Sequence, residues 1–169
     1  MMKTKQLLLL TGFFLLIMSG CSSSRSLTKD EKAAKEVTLR EAIEKREFSI
    51  DVNRMNPMSG SSRILNSSYS LEINGDKVKS HLPYMGRAYN IPYGGGNGLV
   101  FDSTVTEYKS LFNDKGKCAI EFNTRSENDQ LTYHIEIFPN GSASINVRSN
   151  NRQNISFHGT VILKKQSDL

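Results

Sequence analysis

The pattern of hydrophobic and polar residues divides the chain into three parts. Residues 7–17 form an apolar run that only Thr11 and Gly12 interrupt. Residues 29–46 carry apolar positions three and four apart, which is typical of an amphipathic helix. From Phe48 onward apolar and polar residues alternate, which is typical of strands with one buried face. The pattern therefore predicts a leader, one helix and a β domain over residues 48–164.

The predicted helix, residues 29–46, has a clear start. Thr28 and Glu31 have the spacing of a capping box, in which the two side chains satisfy free backbone N–H groups. Opposite charges four residues apart, such as Lys32 and Glu36, support the helix further along. We expect it to lie on the domain rather than inside it, because its apolar face is thin and consists of Ala33, Val37 and Ile43, with Ala34 and Leu39 to the sides.

About eight strands are predicted in the rest of the chain. Turn residues separate them. Asn74-Gly75 predicts a two-residue hairpin turn, because both positions tolerate positive φ, and Pro139-Asn140-Gly141 predicts another turn. Residues 107–112 fit either a helical turn or a continued edge strand. Short polar turns favour antiparallel pairing. The predicted fold class is therefore mainly β (α+β), an N-terminal helix followed by about eight mostly antiparallel strands in a sandwich or open barrel. The predicted strands cover residues 48–52, 69–73, 78–82, 99–105, 118–122, 131–137, 143–147 and 155–163.

The first twenty residues have the organisation of an export signal. Lys3 and Lys5 precede the apolar run, which is shorter than the roughly 20 residues that a membrane-spanning helix needs. The run ends in Met18-Ser19-Gly20-Cys21, which resembles the lipobox of lipoprotein signal peptides. We predict a signal peptide over residues 1–20, lipidation of Cys21 and a flexible Ser-rich tether over residues 21–28. An uncleaved signal anchor and an ordinary signal peptide cut elsewhere are the alternatives.

Lipidation would decide where the protein is located. Two or three acyl chains of the palmitate type, each methylene contributing about 0.8 kcal/mol, make a stable membrane anchor. We therefore predict a cell-envelope protein anchored by lipid in the outer membrane and facing the periplasm. Surface exposure is the alternative.

Composition narrows the range of function classes. Removing twenty residues from 169 leaves 149, which suits one domain over residues 29–169. Without Lys3 and Lys5 the chain has 20 basic and 17 acidic side chains, and the basic ones are scattered, which argues against nucleic-acid binding. Cys118 has no intramolecular partner once Cys21 is acylated, so the domain is not a disulfide scaffold.

The mature part contains no strong catalytic, metal or nucleotide motif, and we predict no cofactor. The glycine run of residues 93–98 lacks the Gly-Lys-Ser/Thr ending of a phosphate loop. Cys118 alternates with core positions, so its thiol should be buried and inert. His134 and His158 should face solvent, where they could share a metal if their strands pair, although exposed strand histidines are the simpler interpretation.

The long loop of residues 83–98 is the best candidate for recognition. Loops on rigid sheets often bind ligands, and tyrosine and arginine are frequent at interfaces. The alternative is that these tyrosines close one end of the sheet over the core. The candidate residues are Tyr84, Arg87, Tyr89 and Tyr93.

Four separated motifs lie along the predicted domain, at residues 53–58 (NRMNPM), 82–89 (LPYMGRAY), 138–143 (FPNGSA) and 151–159 (NRQNISFHG). Together they resemble the Bacteroidota lipoproteins grouped as domain of unknown function 4251. The resemblance covers roughly residues 30–163; it implies an envelope location and assigns no activity. We therefore expect a non-enzymatic binding or structural module that contacts an envelope protein or small ligand. An envelope hydrolase with a site that the sequence does not reveal is the alternative.

Overall fold

A computed structural model describes residues 28–89, 98–126 and 129–163 of the chain. The predicted signal peptide, Cys21 and Tyr93 lie outside these ranges. The described elements are helix α1 (Lys29–Glu44) and the strands β1 (Glu47–Pro57), β2 (Arg63–Asn74), β3 (Lys77–Leu82), β4 (Leu99–Thr104), β5 (Thr106–Phe112), β6 (Cys118–Ser126), β7 (Asp129–Ile137), β8 (Ser142–Ser149) and β9 (Ile155–Ile162). The predicted fold class is confirmed, with nine strands in these ranges rather than eight.

The nine strands form one antiparallel sheet that curls into a nearly closed barrel. Their order is β4-β3-β2-β1-β9-β8-β7-β6-β5, so the two edge strands are consecutive in the chain and only Val105 separates them. Side chains join edge strand β4 to the end of β6, which extends past the start of β5. The Ser103 hydroxyl donates to the Arg125 carbonyl at 2.7 Å, and the Thr124 hydroxyl donates to the Thr104 carbonyl at 2.9 Å. Of the two predicted architectures, the structure therefore adopts the barrel.

Residues 107–112 are part of strand β5, not a helical turn. The pairing with β6 shifts register between Thr106 and Lys109, and Glu107 has a positive φ of 53°. This is the geometry of a β-bulge, which bends a strand and increases its twist. The Asn123 side-chain amide donates to the Glu107 carboxylate at 2.6 Å and holds the bulge in place. The bend allows the chain to pass from one edge of the sheet to the other.

Aromatic and aliphatic side chains fill the barrel interior. The rings of Phe122 and Tyr133 stack with centroids 5.0 Å apart. The Tyr133 hydroxyl lies 3.2 Å from the Ser80 hydroxyl, which in turn donates to the Leu99 carbonyl at 2.6 Å. These bonds satisfy the buried hydroxyls of Tyr133 and Ser80, as a low-polarity interior requires. Other fully buried residues include Phe48, Phe157, Ile50, Leu71, Ile73, Leu82, Ile120 and Leu131.

Helix α1 covers one end of the barrel, which we call the helix end. Leu39 and Ile43 are buried there, whereas Val37 is 57% exposed. The predicted apolar face of the helix was therefore only partly right, because the helix buries apolar side chains through its last two turns only, while Ala33 and Val37 line an open cleft beside the barrel. Within the described ranges the helix has 16 residues, and it is neither long nor apolar enough to cross a membrane.

The helix ends at Glu44, two residues before the predicted end. Arg46 has a positive φ of 57°, which is incompatible with a continued helix. Its carbonyl accepts a hydrogen bond from the Gly75 backbone N–H at 2.9 Å, and its guanidinium lies 2.7 Å from the Asp76 carboxylate. These contacts bind the start of β1 to the turn between β2 and β3.

That turn differs by one residue from the prediction. Asn74 pairs with Lys77, so the two central residues are Gly75 and Asp76 rather than Asn74 and Gly75. Gly75 has a φ of 60°, which suits the first central position of a type II′ turn. A two-residue hairpin was therefore predicted correctly, and the strand register decided its position.

Candidate functional site

The end of the barrel opposite α1, which we call the loop end, carries the first part of the 83–98 loop. The Tyr89 backbone N–H donates to the Asn151 carbonyl at 2.7 Å, and the Gln153 backbone N–H donates to the Arg87 carbonyl at 2.9 Å. The Arg87 backbone N–H also donates to the Gln153 side-chain oxygen at 3.1 Å. Residues 84–89 are therefore held against the connection between β8 and β9.

Tyr84 closes the loop end over the core. Its hydroxyl lies 3.0 Å from the Gln153 carbonyl and 3.1 Å from the Arg87 carbonyl, so one proton serves both acceptors. Burial raises the pKa of Tyr84, although the nearby Arg152 guanidinium opposes this effect. A Cβ at Gly86 would lie 2.7 Å from the hydroxyl, so only glycine permits this close approach. Tyr84 therefore has a structural role at the loop end, because its hydroxyl is used within the domain.

Arg87 and Tyr89 lie on the surface of the same segment. The Tyr89 side chain is 67% exposed, and Arg87 is also exposed. Their backbone groups are hydrogen-bonded to residues 151–153, whereas their side chains remain accessible. The structure therefore brings together two of the four candidate residues at the surface, while Tyr84 packs inward and Tyr93 lies outside the described ranges.

A buried ionic network, which the sequence did not predict, holds this end together. The Arg152 Nε lies 2.8 Å from the Asp129 carboxylate, and Nη1 donates to the Gly98 carbonyl at 2.9 Å. The Ser149 hydroxyl lies 2.8 Å from both Asp129 oxygens. The Arg152 guanidinium also lies 5.1 Å from the centroid of the Tyr84 ring. Arg152 belongs to a motif already singled out, but nothing in the sequence marked Asp129 as its partner.

The two solvent-facing histidines lie on strands that do not pair. His134 of β7 is opposite Asn146, and His158 of β9 is opposite Ser144, so β8 lies between them. The His134 Nδ1 lies 3.0 Å from the Glu121 carboxylate instead. The condition for a shared metal site is therefore not met. Among the described residues, no group of three or more potential ligands is arranged to hold a metal ion.

Cys118 is buried beneath helix α1. It lies at the bottom of a cleft of 220 Å³ between the helix and the barrel, among Val37, Phe112 and Ile137. Burial raises the pKa of the Cys118 thiol to about 11. The thiol is therefore protonated at neutral pH, and a protonated thiol is a poor nucleophile.

Comparison with known proteins supports the family and the fold. The family model described as Domain of unknown function (DUF4251) matches residues 30–161. The chain belongs to this family. A crystal structure of a DUF4251 family protein from Bacteroides eggerthii DSM 20697 is similar, with a TM-score of 0.61 and 18% sequence identity over 80% of this chain and 94% of that chain. At this identity the likeness shows a shared fold. No curated protein matches the chain.

The resemblance to DUF4251 predicted from the four motifs is thus confirmed. The matched region extends from α1 to β9 and includes the whole described part of the loop end. Membership of this family does not assign an activity to the chain, because the function of the family's domain is unknown. Any function must therefore be argued from the surface of this chain.

Proposed function

We propose that this DUF4251 protein is a lipid-anchored envelope protein that binds a partner protein through Arg87 and Tyr89. One observation carries the proposal: the backbone of residues 84–89 is held by hydrogen bonds, while these two side chains remain exposed. A segment that is ordered before binding loses little entropy on association. Tyrosine and arginine are also the side chains that most often dominate interface energies.

The position of the predicted anchor supports this arrangement. The tether joins the domain at Thr28, and α1 then covers the helix end of the barrel. Arg87 and Tyr89 lie at the opposite end. An anchor at one end leaves the other end accessible to a partner, so the two parts of the proposal are compatible.

The hydrolase alternative has less support in the described ranges. The Glu121 and His134 pair lies on the outer sheet face, whereas Cys118 is buried under the helix with a protonated thiol. A nucleophilic mechanism needs the nucleophile and its base within hydrogen-bond reach. Among the described side chains, the Ser149 hydroxyl and the Asp129 carboxylate are within reach of each other, but Asp129 is buried and already paired with Arg152, so we propose binding rather than catalysis.

Metabolic labelling with a fatty-acid probe tests the anchor. Cys21→Ala should abolish labelling, because the Cys21 thiol is the only group that can carry the thioether-linked diacylglycerol. Cys118→Ala is the matched control and should label like the natural protein, since its thiol is buried. Normal labelling of Cys21→Ala would refute the lipid anchor.

Protease treatment of whole cells tests the orientation. We place the domain on the periplasmic side of the outer membrane, so added protease should degrade it only after the outer membrane is permeabilised. Degradation in intact cells would place the domain on the cell surface instead.

Site-specific photo-crosslinking in living cells tests the binding surface. A photoreactive amino acid at position 89 should give a discrete crosslinked product, and the same amino acid at Lys109, an exposed residue of β5, should not. Adding Arg87→Ala should reduce the product at position 89. Identical products at both positions, or a yield that Arg87→Ala leaves unchanged, would refute this surface.

A further inference from the structure

Exposed apolar side chains gather on the outer face of β5, β6 and β7 at the helix end. Leu111 is 75% exposed and lies opposite Ala119, which lies opposite Glu136 in the next strand. Phe138 follows two residues after Glu136 and is also exposed. Leu111, Ala119 and Phe138 therefore share one continuous surface, which we call the hairpin patch.

Two lysines border the hairpin patch. Lys115 and Lys117 lie in the turn that joins β5 to β6. The Lys117 ammonium lies 5.5 Å from the centroid of the Phe138 ring and 2.6 Å from the Glu136 carboxylate. Apolar side chains next to lysines are typical of surfaces at a membrane interface, because the lysine stems pack on hydrocarbon while the ammonium groups stay near lipid phosphates.

The tether begins close to the same turn. A Cβ built on Gly116 would touch the Glu36 carboxylate, so the middle of α1 passes directly over this turn. The helix from Glu36 back to Thr28 is about 12 Å long at about 1.5 Å per residue. The seven residues from Cys21 to Thr28 span at most about 25 Å at about 3.5 Å per residue. The acyl chains on Cys21 are thus attached within about 40 Å of the hairpin patch.

We infer that the hairpin patch rests on the phospholipid bilayer that holds the acylated Cys21. Leu111 and Phe138 lie at the level of the lipid headgroups, and Lys115 faces the lipid phosphates, while Lys117 stays paired with Glu136 beside the Phe138 ring. This inference rests on the proposed lipid anchor and adds an orientation to it. The barrel stands with its helix end on the membrane, and its loop end points away from the lipid.

Fluorescence of the acylated mature protein in vesicles tests the contact. Leu111→Cys, in a Cys118→Ala background, carries an environment-sensitive dye in vesicles of phosphatidylethanolamine and phosphatidylglycerol. Ile64→Cys is the matched control, because Ile64 on β2 is 74% exposed. We expect emission at shorter wavelength, and quenching by brominated lipids, at position 111 but not at position 64.

Mass spectrometry of the same samples separates the two ways in which the idea can fail. If Cys21 carries acyl chains and the dye has the same emission and quenching at positions 111 and 64, the membrane contact is wrong and the anchor stands. If Cys21 is bare, the proposed anchor is wrong, and the inference fails with it.

Discussion

The Arg152 guanidinium lies 2.8 Å from the carboxylate of Asp129, which is buried at the start of β7. The same guanidinium donates to the Gly98 carbonyl at 2.9 Å, just before β4 begins. One side chain therefore connects three segments that are distant in sequence. Through its contact with the Tyr84 ring, Arg152 also links residues 84–89 with Gly98, the last loop residue before β4.

Asp129→Asn should lower the free energy of unfolding by about 3 kcal/mol, because it leaves the largely buried Arg152 without its counterion. Urea denaturation measures the loss. Glu44→Gln is the control, since its ion pair with Arg40 is mostly exposed and should contribute less than about 1 kcal/mol. Equal losses in the two variants would show that the buried pair is not a main support of the loop end.

Tyr84→Phe should destabilise the protein by about 1 kcal/mol, because two carbonyls lose their shared hydroxyl donor. Hydrogen exchange at the Arg87 and Gln153 amides should become faster. The control Tyr89→Phe removes an exposed hydroxyl and should change stability by less than about 0.5 kcal/mol. If exchange at these amides stays slow in Tyr84→Phe, the hydroxyl does not hold the segment.

Gly159→Ala should destabilise the barrel by about 2 kcal/mol or more, because the added Cβ would overlap the Asp51 carbonyl oxygen and lie 3.1 Å from the Ile50 side chain. Backbone cannot move aside as a flexible side chain can. Thermal unfolding measures the effect, with the exposed neighbour Thr160→Ala as control. Similar melting temperatures for the two variants would mean that β1 and β9 separate easily at this point.

Stability should fall as the pH rises above 9, and Cys118 should account for part of the loss. Burial raises the pKa of the thiol from 9.0 to about 11. Below pH 9 the thiol is protonated in both the folded and the unfolded chain, so its contribution to the free energy of unfolding is fully present. Between pH 9 and 11 the unfolded chain loses the proton first, which favours unfolding.

Cys118→Ala isolates this contribution. Urea midpoints of both proteins at pH 8 and pH 10.5 should show a smaller decrease in the variant, whatever its stability at pH 8. Burial also raises the pKa of Tyr108 and Tyr133, and both remain in the variant. Equal decreases in the two proteins would show that the thiol ionises in the folded state as it does in the unfolded chain.

Much of the fold was predictable because it depends on local patterns. Alternation placed Cys118, Ile120 and Phe122 on one face, and all three are buried. The capping box at Thr28 is present, with its hydroxyl accepting from the Glu31 backbone N–H at 3.3 Å. Both features depend on residues within a few positions of each other.

The candidate site was only partly predictable. The loop was identified from its composition, yet composition could not distinguish the inward Tyr84 from the exposed Tyr89. That difference depends on Gln153, whose carbonyl lies beside the Tyr84 hydroxyl although it is 69 positions away. The role of Asp129 was unpredictable for the same reason, because a lone acidic residue at the start of a strand has no distinctive pattern.

From the sequence alone, the repeat of apolar positions determined where α1 and most strands form and which strand residues face the core, since helix and strand periods are properties of neighbouring residues. Tertiary structure alone decided that β4 lies beside the end of β6 and closes the sheet into a barrel. It also decided that Val37 stays exposed while Leu39 is buried, and that Arg152 finds Asp129. Each of these outcomes depends on which segments, distant in sequence, come into contact. The packing of the whole domain determines those contacts, and local sequence patterns do not.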